Sequence, residues 1–215
     1  MFCVKKFYED ENAFNCEKES IVVAWETEDE FIDINNGYGG ELKLCLGKFP
    51  NDTFVVPNGI ESIGAGVFAN PIENIFESSI KKLIIPESVK EIKSGAFEYT
   101  AINEVEIHPN SSCGVVKDNA IFSKDGKKLI WILKATGGEY VVPNGVEVIA
   151  NVAFDNSMLF ENNEGIETLV VPASVKKIEL GFECDYLYTC VTIKAPKGSY
   201  AIEFAKENEI NYEEI

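Results

Sequence analysis

The chain repeats one arrangement of apolar side chains around a proline. Counted from that proline, apolar residues stand at −3 and −1, Ile or Val at +3, Ile at +6 and Phe at +11. One copy is Leu83, Ile85, Pro86, Val89, Ile92 and Phe97. A second is Phe54, Val56, Pro57, Ile60, Ile63 and Phe68, and a third is Tyr140, Val142, Pro143, Val146, Ile149 and Phe154. A fourth has Leu169, Val171, Pro172, Val175 and Ile178, with Phe182 one place early. Partial copies run through Ile102, Val105, Ile107 and Pro109 and through Tyr188, Val191, Ile193 and Pro196, so the prolines are spaced by 29, 23, 34, 29 and 24 residues.

This pattern predicts stacked short strands. Positions −3 and −1 share one face of a strand, so Leu83 and Ile85 point inward together. Proline cannot donate to a ladder and therefore ends the strand at a corner. Two corners read Pro-Asn-Gly, residues 57–59 and 143–145, which is turn chemistry. Positions +3, +6 and +11 then return inward from the opposite wall. A single rung buries too few side chains to offset the ordering of its own backbone, so the rungs must cover one another.

Outside the repeats, the first 48 residues carry the apolar run 21–25 and the alternating Leu42, Leu44 and Leu46, which predict a β-rich N-terminal cap over residues 1–48. Residues 49–215 form the repeat region. Within it, residues 113–133 are an insert in which Ala120–Phe122 and Leu129–Ile132 flank Asp125-Gly126, a hairpin signal. Residues 197–215 form a C-terminal cap, with Ser199 placed to start a short helix whose apolar face is Tyr200, Ala201, Phe204 and Ala205. Such a helix would protect the last rung's unpaired edge.

Composition narrows the function. The 215 residues contain 36 acidic and 19 basic residues for a net charge of −17, and every basic residue is a lysine. Phosphate recognition needs clustered positive charge and favours arginine, so nucleic acid is excluded as an expected partner, and an anionic membrane surface with it. Membrane insertion is not expected either, because no window approaches the roughly 20 apolar residues of a span. The start lacks a secretory signal, and the six cysteines are scattered without CxxC spacing. Both point to a cytoplasmic chain with free thiols, the alternatives being a mature chain whose signal has been removed and, from the even count, three disulfides.

The repeats VVPNGIESIGAGVF, IIPESVKEIKSGAF and VVPNGVEVIANVAF, the insert KDNAIFSKDGKKLIW and the ending APKGSYAIEFAKENEI resemble BspA-type leucine-rich repeat proteins over residues 49–212. The resemblance implies a mostly β, right-handed solenoid of five or six rungs. It also implies a protein-interaction or adhesion role without known catalysis, and a cell-surface or secreted location in place of the cytoplasmic one.

Candidate chemistry is sparse. His108, the sole histidine, stands five residues before Cys113, which allows a Cys-His pair on paper; the competing reading is a surface histidine and a packed thiol. Asp33, Asn35 and Gly37 share part of a calcium-loop spacing, but Tyr38 stands where that loop needs glycine and Leu44 where it needs glutamate. Asn51-Asp-Thr53 and Asn110-Ser-Ser112 match the glycosylation triplet. The corner residues Glu61, Lys90, Glu91, Glu147, Lys176 and Lys177 read as solvated. No cofactor or metal is implied.

The residues between the inward ones are more informative. If Leu83 and Ile85 face in, Ile84 faces out, together with its equivalents Val55, Glu106, Val141 and Val170. Thr53, Lys82, Glu104, Glu139 and Thr168 flank them. An apolar ladder with a polar rim is a candidate surface for a protein or glycan partner. The alternative is that β-branched residues simply suit strands. The sequence therefore suggests a non-enzymatic binding module. A structural spacer, or an enzyme with its site in residues 1–48, are the other readings.

Overall fold

In a computed structural model, the marker prolines end short strands, and the described residues are mostly β, with one short α-helix and a single 3-10 turn at Pro50–Asp52. The structure describes residues 2–6, 22–26, 41–46, 50–68, 80–93, 95–97, 100, 102–135, 138–150, 153, 166–179 and 191–215. The chain divides into two compact units, Met1–Gly114 and Val115–Ile215.

The first unit contains β1 (Phe2–Lys6), β2 (Val22–Glu26), β3 (Glu41–Leu46), β4 (Thr53–Val55), β5 (Ser62–Ile63), β6 (Lys82–Ile85), β7 (Glu91–Ile92) and β8 (Glu104–Ile107). One sheet has the order β1-β2-β3-β5-β7: its first three strands are antiparallel, and β3, β5 and β7 run parallel. The other sheet, β4-β6-β8, is parallel throughout. The second unit contains β9 (Val115–Lys117), β10 (Ala120–Phe122), β11 (Lys128–Ile132), β12 (Glu139–Val141), β13 (Val148–Ile149), β14 (Thr168–Val170), β15 (Lys177–Ile178), β16 (Thr192–Ala195), α1 (Tyr200–Glu207) and β17 (Asn211–Glu214). It too has two sheets, the mixed β15-β13-β11-β10-β9 and the parallel β12-β14-β16-β17.

Burial follows the proline count. Phe54, Val56, Leu83, Ile85, Tyr140, Val142, Leu169 and Val171 are buried at −3 and −1. So are Ile60, Val89, Val146 and Val175 at +3, and Ile63, Ile92, Ile149 and Ile178 at +6. At +11, Phe68 and Phe97 are buried and stacked, with ring centroids 5.9 Å apart, and Phe54 meets Phe68 edge-on at 6.4 Å. Phe154 and Phe182 lie outside the described residues, as do Cys16, Cys184, Cys190, Tyr188 and the 33–38 stretch considered for calcium.

The register corrects one alignment. Because Ile85 pairs with Ile107, His108 occupies the place of Pro86, and Pro109 stands one residue late. His108 retains the N–H that proline lacks and donates it to the Ile85 carbonyl at 2.9 Å.

Corners come in two kinds. At Pro57 and Pro143 the turn closes by N–H donation from Ile60 and Val146 to the proline carbonyl, with Gly59 and Gly145 at φ 97° and 98°. Those values are type II geometry, which demands glycine there. At Pro86 and Pro172 the equivalent positions are Ser88 and Ser174, and the turns close through Val89 and Val175 without a positive φ. Each serine serves the glycine corner before it: Gly59 donates its N–H to Ser88 Oγ at 2.9 Å, and Gly145 to Ser174 Oγ at 3.0 Å. Ser174 Oγ in turn donates to the Val146 carbonyl at 2.8 Å.

The hairpin forms as expected, with β10 and β11 joined through the Asp125-Gly126 turn. A second turn, at Asp118 and Asn119 with φ 49° and 57°, adds β9 to it. The helix forms too, but Ser199 makes no side-chain cap bond; its carbonyl instead accepts from Ile202 and Glu203. The buried face is Ala201, Ile202, Phe204 and Ala205, whereas Tyr200 is exposed. Tyr200 sits at the rim, where its hydroxyl oxygen receives the Ile178 N–H at 3.5 Å from the edge strand β15. After the helix, β17 joins β16 in parallel, an addition without a sequence signal because all four of its residues are exposed.

Several of the charged corner residues are paired, most of them across rungs, and Glu61 and Glu147 are half-buried. Glu61 meets Lys90 at 2.5 Å, and Lys93 meets Glu41. Glu147 lies 3.0 Å from both Lys127 and Lys176, and Glu179 lies 2.9 Å from Lys128 and 3.2 Å from Lys177. Hydrogen bonds from Lys127 and then Lys176 hold the Glu147 carboxyl below its usual range. For Glu179, partial burial pushes upward and the two lysines more than offset it, so the net shift is also downward.

Two predictions follow from this packing. Phe68→Ala removes the middle ring of the first unit's stack and should cost about 3–5 kcal/mol in denaturant unfolding. A depressed carboxyl stabilises the fold fully above its unfolded pKa of about 4.3 and loses that contribution as pH falls through the folded value. Acid titration should therefore show stability falling below about pH 4, and Glu147→Gln with Glu179→Gln should flatten that fall.

Candidate functional site

Alternation along the parallel strands fixes which side chains face outward, and register fixes which of them stand side by side. In the first unit Val55, Ile84 and Glu106 are cross-strand neighbours, with Thr53, Lys82 and Glu104 in the row beside them. In the second unit Val141 and Val170 continue into Lys194 and Glu213, beside Glu139, Thr168, Thr192 and Asn211. Adjacent members of a row are separated by the strand spacing of about 4.8 Å. All ten sequence-derived candidates thus lie on outward rows, six in one sheet and four in the other.

The aliphatic members are not equivalent. Val55 and Val141 are 57% and 59% exposed, whereas Ile84 and Val170 are half-buried. The difference follows position: among the described strands, β4 and β12 are the first of their sheets and have a hydrogen-bonded neighbour on one side. Ile84 and Val170 are flanked on both sides.

Charge completes each row. Lys82 Nζ reaches Glu104 at 2.6 Å and Glu106 at 2.5 Å, and these bonds, that to Glu104 first, raise its pKa. Lys194 meets Glu213 at 3.2 Å. Each sheet therefore offers aliphatic side chains beside a lysine–glutamate cluster, a surface suited to contact and ion pairing. The Lys194 position was legible, since it stands at −2 from Pro196 as Ile84 does from Pro86. Glu213 follows the helix with no proline marker and had no signal.

The sequence alternatives find little geometric support. His108 is exposed, its Nδ1 accepts the Asn110 N–H at 3.2 Å, and Glu87 lies 3.9 Å away. Cys113 is buried, with Sγ 3.1 Å from Ser111 Oγ, which donates to the Val89 carbonyl at 2.5 Å. That is a packed thiol beside a corner hydroxyl. Among the described residues no group of three or more His, Cys, Asp or Glu could hold a metal ion. The Tyr140 hydroxyl is buried without a hydrogen-bond partner among the described residues, and burial pushes its pKa far above the usual phenol value, so it stays neutral.

Comparison with known proteins adds the family. Residues 47–125 match the family described as "BspA type Leucine rich repeat region (6 copies)". No curated protein matches the chain. Among solved structures, a leucine-rich repeat protein from Eubacterium ventriosum is 15% identical, with 92% of this chain and 73% of that one covered and a TM-score of 0.43. A leucine rich cell surface protein from Faecalibacterium prausnitzii is 19% identical over 79% of this chain and 40% of that one, at a TM-score of 0.36. The pneumococcal vaccine antigen PcpA is 16% identical over 76% and 67%, at 0.37. Residues 47–125 thus match the BspA-type leucine-rich repeat family, and the same proline-centred pattern continues beyond them through Pro143 and Pro172.

Proposed function

We propose that this chain is a non-enzymatic protein-interaction or adhesion module that makes contact through the outward faces of its parallel sheets. One observation carries the reading: Val55 and Val141 are more than half exposed at the last positions of their three-residue strands, each in a row with a half-buried aliphatic residue and beside polar and charged neighbours. A single exposed valine is ordinary in a strand, but Val55 with Ile84 and Val141 with Val170 make contiguous aliphatic pairs rimmed by polar side chains, the form of a contact surface. The rows carry no aromatic ring on which a sugar face could stack, which favours a protein over a glycan.

The test is affinity capture with the wild-type chain beside a Val55→Lys, Val141→Lys variant, probing extracellular proteins, glycans and cell lysate. Both positions are exposed, so the variant should unfold within about 0.5 kcal/mol of wild type. A partner retained by wild type and lost by the variant is the expected result. Equal capture by both proteins, or none by either, would favour a structural spacer whose outward valines only serve the sheet.

A further inference from the structure

The Pro57 and Pro143 corners each place an asparagine directly before a glycine, Asn58-Gly59 and Asn144-Gly145, and both asparagines are exposed. This pair is chemically labile. The glycine nitrogen can attack the asparagine side-chain carbonyl carbon: a bond forms between N and Cγ, the bond from Cγ to Nδ2 breaks, and ammonia leaves with the amide proton. Water then opens the resulting cyclic imide at either carbonyl, giving aspartate or isoaspartate. The first step requires the glycine to release its N–H and its nitrogen to swing toward the side chain.

Both corners oppose that step in the same way. The Gly59 N–H is held by Ser88 Oγ at 2.9 Å and the Gly145 N–H by Ser174 Oγ at 3.0 Å. In each case the hydroxyl comes from 29 residues further along the chain, in the adjacent rung. The type II turns, closed onto Pro57 and Pro143, fix the peptide that would have to rotate. We propose that Asn58 and Asn144 are deamidation sites kept closed by the serine of the neighbouring rung, so that each corner reacts only while its rung interface is open. The modification is one-way. It adds a negative charge to the corner, and the isoaspartate product also adds a backbone methylene that the turn cannot accommodate.

The test is peptide mass mapping of the full chain during incubation at mildly alkaline pH, scoring deamidation and isoaspartate at each site. In the folded wild type both asparagines should react far more slowly than in the same chain held in urea. Ser88→Ala should accelerate Asn58 roughly fivefold, the population effect of losing one neutral hydrogen bond, and leave Asn144 unchanged. Ser174→Ala should do the reverse, and Ser88→Thr, which keeps the hydroxyl, should retain the slow rate at Asn58. Equal rates in folded and unfolded wild type would overturn the proposal. So would acceleration of both sites by one serine substitution, or a Ser88→Thr rate as fast as that of Ser88→Ala.

Discussion

A short parallel strand between two corners leaves backbone donors, acceptors and charges that it cannot satisfy alone. Within each unit the adjacent rung supplies the missing groups. Strand N–H groups find carbonyls next door, the Gly59 and Gly145 amides find the hydroxyls of Ser88 and Ser174, and Glu147 and Glu179 each sit between two lysines. The individual ion pairs are exposed and modest in strength. Their value lies in repetition, because all but the Lys177–Glu179 pair form only when two rungs are in register.

The same dependence explains how the sequence can vary while the fold persists. Inward positions tolerate Phe54, Leu83, Tyr140 or Leu169 because the sheet requires an apolar side chain of adequate size and leaves its shape to local packing. Corners are stricter. A type II turn needs glycine at one place, and at Gly59 and Gly145 a hydroxyl from the next rung receives the glycine amide. His108 shows what happens when the proline slips by one: the strand gains an N–H, and that N–H goes straight into the ladder.

The architecture was legible wherever a residue does one conspicuous thing. Prolines mark strand ends, alternation marks the inward face, and Asp125-Gly126 marks a hairpin. The less visible elements are those that depend on neighbours. β9 rests on Asp118 and Asn119 adopting positive φ, and β17 is a polar, exposed strand held by its pairing with β16. Ser199 looked like a cap from its position, yet the helix start is satisfied by its carbonyl. On the outward rows, spacing alone makes Val55 and Ile84 equivalent. Only the strand order separates them, since one lies on a first strand and the other between two.

The alternation of corners has a bearing on how such a chain can change its length. Within each unit an Asn-Gly corner is followed by one carrying serine, and in the second unit the order then returns to glycine at Gly198, also at positive φ. In the second unit, removing the Pro172 rung alone would set the Gly145 corner beside that of Gly198 and take away the Ser174 hydroxyl that receives its amide. Removing the Pro143 and Pro172 rungs together would leave no such amide unmatched, so in that unit the Gly145 and Ser174 corners are gained or lost as a pair.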